Sequence, residues 1–181
     1  IKLKEILTLE RPLSAHFEFN ERGLAIDKDA WSQDILLNWV FANSIHVIDT
    51  VFYLIGQPLD LHVNRSLKHL DWCLNDLFVG HGKTDKNVLF TFNSNWMSPG
   101  SWKIEVKCLD HTYTLNPMEI LKSHNRKRES KVLVEDNSQF KPGFDYQLSA
   151  FLNSPEKLLG INEFINNLKL QKAIFTEREH I

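Results

Sequence analysis

The sequence predicts an α+β domain, a mostly antiparallel open sheet with helices packed on one face. Three observations predict it. From residue 59 to residue 115, five short strand-like runs follow one another through polar or glycine-bearing turns with no helix between them, and closely spaced strands of this kind pair antiparallel. One apolar segment before them and two at the end of the chain carry helical spacing. A hydrophobic content of 43%, with 12 Phe and 5 Trp, is ample for one core in a chain of 181 residues.

Residues 1–19 read as extended structure, because Leu13, Ala15, Phe17 and Phe19 alternate with Ser14, His16 and Glu18. The polar loop "NERGLAIDKDAW" leads into an apolar helix from about Asp34 to Ile55, stopped by Gly56 and then Pro58. The five strand-like runs are "LDLHVNRSL", "DLFVGHG", "NVLFTFNSNW", "SWKIEVKCLD" and "HTYTL". In the fourth, Trp102, Ile104, Val106 and Cys108 point one way and Ser101, Lys103, Glu105 and Lys107 the other. "SHNRKRESK" is a charge cluster, followed by a short strand "KVLVED". Of the closing helices, "FDYQLSAFLN" is expected to bury Tyr146, Leu148, Phe151 and Leu152. "INEFINNLKLQKAIFTER" repeats Ile161, Phe164, Ile165, Leu168, Ala173 and Phe175 at near-helical spacing. The chain opens on Ile within a segment that already reads as folded, so it is expected to be one domain, residues 1–181, cut from a longer protein.

Composition narrows the function classes. With 21 basic against 23 acidic side chains, no global field favours nucleic acid or an anionic membrane. No apolar run approaches the roughly 20 residues of a membrane span. Cys73 and Cys108 stand singly and no export signal opens the chain, which favours a reducing, cytoplasmic setting. The histidines form neither HxxxH nor HxH spacing, so no metal site is expected. "GHGK" at Gly80 to Lys83 has Asp85 where a dinucleotide fingerprint needs its third glycine, and it lies between strand patterns, so it is no phosphate loop. The cluster Lys122, Arg126, Lys127, Arg128 and Lys131 reads either as a solvated loop or as an anion contact. Trp96, Trp102 and Tyr113 read as core or, if their sheet face is uncovered, as a subunit interface.

The apolar helix carries the best site candidate. At about 100° per residue, Ala42, Asn43, His46, Asp49, Thr50 and Tyr53 share a stripe roughly 120° wide. The remaining positions are almost wholly apolar, so this stripe meets water, a ligand or fixed partners. Two readings stand: a His46–Asp49 hydrogen bond within a packed domain, or a cleft wall on which the imidazole meets a substrate hydroxyl. The second suits acid–base work near neutrality, because a nearby carboxylate stabilises imidazolium.

"HVIDTVFYLIGQPLDLHV" resembles the H-x-x-D-x-x-x-x-L-x-G-x-P-x-x-V segment of the Gfo/Idh/MocA oxidoreductases, the glucose–fructose oxidoreductase and inositol dehydrogenase family. "GSWKIEVKCLDHTYTLNPMEIL" resembles the same family's strand pair running into a Y-x-L-x-P-x-E-x-L segment, and "GFDYQLSAFLN" its late helix. The resemblance covers about Leu36 to Phe175 and concerns the family's C-terminal half, which supplies substrate contacts and the oligomer interface. The chain has neither the G-x-G-x-x-G nor the E-K-P of the other, Rossmann half. The resemblance therefore implies NAD or NADP bound mainly by a domain outside these residues, and a sugar, polyol or nucleotide sugar as substrate. It also implies a homo-oligomer through the exposed sheet face. It makes His46 and Asp49 the catalytic candidates, with Asn43, Thr50 and Tyr53 as substrate contacts. Where the family often has an aspartate four residues before its histidine, this chain has Ala42. A non-catalytic binding or assembly domain derived from the family is the alternative, and a nucleic-acid- or anion-binding module built on Lys122 to Lys131 is a third reading.

Overall fold

The computed structural model describes residues 2–66, 69–135, 143–157 and 160–175. The chain opens on a helix, α1 (Lys2–Leu9), not on extended structure. Leu3 and Leu7, one turn apart, are both buried, and this helical pair outweighs the alternation that starts only at β1 (Ser14–Phe19). Two single 3-10 turns carry the polar loop to α2 (Gln33–Leu37), where the Ser32 hydroxyl accepts the Ile35 N–H. The helix expected from Asp34 to Ile55 is then divided. A widened, π-helical turn at Val40–Ser44 precedes α3 (Ile45–Ile55). Gly56 ends α3 at φ +99°, a conformation that needs glycine, and a Cβ there would strike Asp85.

The five strand-like runs become β2 (Pro58–Arg65), β3 (Leu77–Thr84), β4 (Leu89–Asn95), β5 (Trp102–Lys107) and β6 (His111–Leu115). The charge cluster is a hairpin between β7 (Leu121–Asn125) and β8 (Ser130–Val134). The chain closes on α4 (Phe144–Asn153) and α5 (Ile161–Phe175). All eight strands form one sheet in the order β2-β3-β4-β1-β5-β6-β7-β8. Every neighbouring pair is antiparallel except β1 with β4.

The alternation of each strand decides which face is covered. Phe17, Phe19, Phe90, Phe92, Ile104 and Val106 turn toward the helices and are essentially fully buried. α3 crosses β1 and β5 and is flanked by α1. Phe52 of α3 meets Phe17 and Phe90 edge-on at 5.8 and 5.2 Å between ring centres, while Phe17 stacks on Phe92 at 5.1 Å. Trp96 and Tyr113 are buried on this same side, so they argue for core and not for a subunit interface. No described element covers the opposite face, which is mostly polar. Register places His62, His81, Thr91, His16, Glu105, Thr114 and Lys122 in one row across it.

The expected burial along α4 is overturned. Leu148, Phe151 and Leu152 are exposed, as are Phe144 before them and Ile161, Phe164 and Ile165 on α5. Helical spacing selects an apolar face but says nothing of what covers it, and no described element lies over this one. The side chains of Tyr146, Ala173 and Phe175, and the ends of the "KVLVED" and "AIFTER" runs, lie outside the described residues.

Candidate functional site

Val47, Ile48, Val51, Phe52, Leu54 and Ile55 turn α3 into the core. That leaves Ala42, His46 and Tyr53 exposed on the outer stripe, with Asn43, Asp49 and Thr50 half-buried beside them. All six expected positions keep some exposure, Ala42 and Asn43 on the widened turn and the other four on α3. The His46 imidazole lies against the Trp102 indole of β5, 5.9 Å between ring centres, and its nitrogens have no hydrogen-bond partner among the described residues. Asp49 follows one turn later. The Thr50 hydroxyl donates to the His46 carbonyl at 2.6 Å, leaving its oxygen lone pairs to accept. Tyr53 closes the stripe under the Lys4 ammonium of α1, which sits 4.5 Å above its ring and donates to its carbonyl. Burial, and then Lys86 nearby, lower the Lys4 pKa, and Asp85 opposes the shift.

A residue that motif reading passed over lies directly beneath this stripe. Glu21, in the loop after β1, is only 6% exposed. Its carboxylate accepts from the Ser44 hydroxyl at 2.6 Å, the Asn43 amide at 2.8 Å and the Trp102 indole at 3.3 Å. The buried Trp39 Nε1–H has no acceptor in hydrogen-bond geometry, though it favours the charge of the same carboxylate. Burial pushes the Glu21 pKa up, and the donors from Ser44, Asn43, Trp39 and Trp102 do not cancel it. The widened turn at Val40–Ser44 lets the successive residues Asn43 and Ser44 reach one carboxylate. Such turns often accompany functional sites. The only sequence signal for Glu21 is an acid two residues after an alternating strand.

Two further ionisable clusters lie elsewhere. Asp76, with no exposed surface, accepts from the His69 and Leu70 backbone N–H groups and pairs with the His69 ring at 3.0 Å. Glu10 joins the His111 ring at 2.6 Å to the Tyr113 hydroxyl at 3.1 Å. Burial first, and Glu10 next, push the Cys108 thiol up to about 11 and the Tyr113 hydroxyl up to about 12, so neither is an activated nucleophile or base. In the basic cluster, Arg126 is held by Asp110 at 2.9 Å and by the Leu109 carbonyl, which weakens the anion-contact reading. Among the described residues no group of three or more His, Cys, Asp or Glu side chains could hold a metal ion.

The glycines of the "GHGK" run do not form a dinucleotide loop. Gly80 and Gly82 lie within β3, where a Cβ would strike the Phe92 and Phe90 rings and the carbonyls of β2. They permit close packing and form no phosphate loop. No helix among the described residues is long and apolar enough to cross a membrane.

No protein-family model matches the chain, and no curated protein matches it. Solved structures do. The dehydrogenase MviM from Clostridium difficile superposes with a TM-score of 0.70 at 15% identity, covering 95% of this chain and 57% of its own. The UDP-N-acetylglucosamine 3-dehydrogenase GnnA from Acidithiobacillus ferrooxidans gives 0.68 at 11%, covering 96% and 56%. A Gfo/Idh/MocA family oxidoreductase from Vibrio cholerae gives 0.62 at 16%, covering 94% and 53%. The chain therefore spans a little over half the length of these oxidoreductases. The resemblance read from its motifs holds at the level of fold: an α+β open sheet shared with Gfo/Idh/MocA oxidoreductases.

Proposed function

We propose that this chain is the substrate-binding and oligomerisation domain of an NAD(P)-dependent oxidoreductase acting on a sugar, polyol or nucleotide sugar in the cytoplasm. The observation that carries the reading is the exposed α3 stripe, where the unengaged His46 imidazole stands beside Trp102 on a fold shared with sugar-acting dehydrogenases. The dinucleotide would be held mainly by chain beyond these residues. When bound, it would supply the hydride chemistry. This chain's part is to bind the substrate along Asn43, Thr50 and Tyr53 and to exchange a proton between the substrate hydroxyl and His46. Asp49, one turn on, would orient the ring. A second copy would cover the open sheet face, whose interspersed Glu18, Lys103, Glu105 and Lys107 suit a two-fold partner carrying the same charges.

One observation favours a second reading, a non-catalytic binding or assembly domain. Ala42 is exposed on the stripe one turn before His46, and it can relay no proton. Calorimetry of the intact protein against polyols, hexoses and UDP-sugars, paired with a redox assay, separates the two. Binding with turnover supports the enzyme, binding without turnover supports the second reading, and no binding by any of them contradicts both.

A further inference from the structure

Glu21 is an acid placed where burial opposes charge, and it is held there by donors from two elements that flank His46. A purely architectural acceptor in this place needs no charge. The geometry asks what a carboxylate does that an amide would not.

The answer lies in Asn43. Its amide nitrogen donates to Glu21 Oε2 at 2.8 Å, which fixes the direction of the whole amide. The nitrogen faces inward, and Oδ1 has no hydrogen-bond partner among the described residues, nor is it a fully buried atom. In its ionised form the carboxylate only accepts, and in that form it holds Asn43 in this one orientation. The other carboxylate oxygen takes the Ser44 hydroxyl and the Trp102 indole, and so ties the start of α3 to the β5 ring that rests against His46. A glutamine at this position would keep an oxygen for Ser44 and Trp102. It would turn its NH2 toward the NH2 of Asn43, and two donors cannot bond. Asn43 would flip and present a donor outward in place of an acceptor.

We propose that Glu21 is a positioning residue of the His46 site: it holds the Asn43 amide oxygen outward to accept a hydrogen bond from a substrate hydroxyl, and it fixes Trp102 against the imidazole. The role rests on the proposed function above and narrows it. The site selects a ligand that donates a second hydroxyl hydrogen to Asn43 beside the hydroxyl served by His46, as a polyhydroxylated sugar or polyol does.

The test uses the full-length protein, with the polyol, hexose and UDP-sugar panel as probes and melting temperature measured alongside. E21Q is expected to remain folded and to raise KM and Kd up to about tenfold, the worth of one neutral hydrogen bond, with a smaller change in kcat. N43D sets two carboxylates face to face and is expected to lose at least as much. The double variant E21Q/N43D exchanges the two functional groups, so donor again meets acceptor and an oxygen again faces outward. Its affinity is expected to return to within about threefold of the natural protein, by the same arithmetic. A role confined to stability would move melting temperatures and leave KM alone. Folded E21Q with unchanged KM and Kd overturns the proposal, as does a double variant no better than its parents. H46A separates the failures. If H46A abolishes turnover while E21Q is neutral, only the role of Glu21 falls. If the natural protein binds no member of the panel, the reading of the site falls and this role with it.

Discussion

Glu21 and Asp76 are both buried carboxylates in loops beside the same core, yet their surroundings drive them in opposite directions. Burial opposes the charge of Asp76, but the His69 ring and the backbone N–H groups of Leu70 and His69 outweigh it and hold its pKa below the ordinary range. Glu21 has only neutral side-chain donors, and burial wins, so its pKa lies above the ordinary range. The difference teaches what each is for. Asp76 ties down a loop whose backbone donors would otherwise be orphaned, and its charge stabilises the fold. Glu21 is an acid whose charge burial opposes, hydrogen-bonded to the Trp102 ring that rests against an exposed histidine, which is the expected mark of a group that organises a site.

The largest expected effect is at Asp76. D76A leaves the His69 and Leu70 donors without an acceptor and should cost about 3 kcal/mol in urea unfolding. E21Q should cost less, about 1 kcal/mol, because most of its donors keep an oxygen; equal losses at the two positions would break the contrast. Their pH dependences should carry opposite signs. Asp76 contributes stability that is present above its unfolded value near 3.8 and lost as pH falls through its lower folded value. Glu21 contributes stability that is present below its unfolded value near 4.5 and lost as pH rises through its higher folded value. Stability measured from pH 3 to pH 8 should therefore lose its acid fall in D76N and its decline above about pH 4.5 in E21Q.

A third cluster sharpens the comparison from the alkaline side. Tyr113 and Cys108, raised to about 12 and about 11, contribute stability that is intact below their unfolded values and lost as pH climbs through those folded values. E10Q removes a charge that disfavours both anions, so tyrosinate absorbance should rise at lower pH than in the natural chain. The smallest effect is expected at the exposed Arg126–Asp110 pair, where R126A should change stability by less than about 0.5 kcal/mol.

Periodicity made the sheet and the outer stripe of α3 legible. The alternation of β5 and the Gly56 stop are properties of neighbouring residues, and the structure follows them. Shared spacing also hid things. In α1, the Leu3 and Leu7 pair spans one turn and was masked by the stronger alternation from Leu13 onward. The widened turn before α3 depends on which carbonyl each N–H chooses, and composition does not record that choice. Glu21 meets Asn43, Ser44 and Trp102 at separations of 22, 23 and 81 residues, so no local pattern could show it. The apolar stripes of α3 and α4 look alike in sequence. One is buried and the other is exposed, because burial depends on a partner surface that the helix does not encode.

His46 is the group on which the proposed chemistry depends. Redox turnover of the full-length protein, measured with its best panel substrate for H46A and the natural sequence, tests it most directly. H46A is expected to lose about 100-fold or more in kcat while dinucleotide affinity stays unchanged. Turnover equal to that of the natural protein would remove His46 from the chemistry and contradict the assignment of the α3 stripe as a catalytic wall.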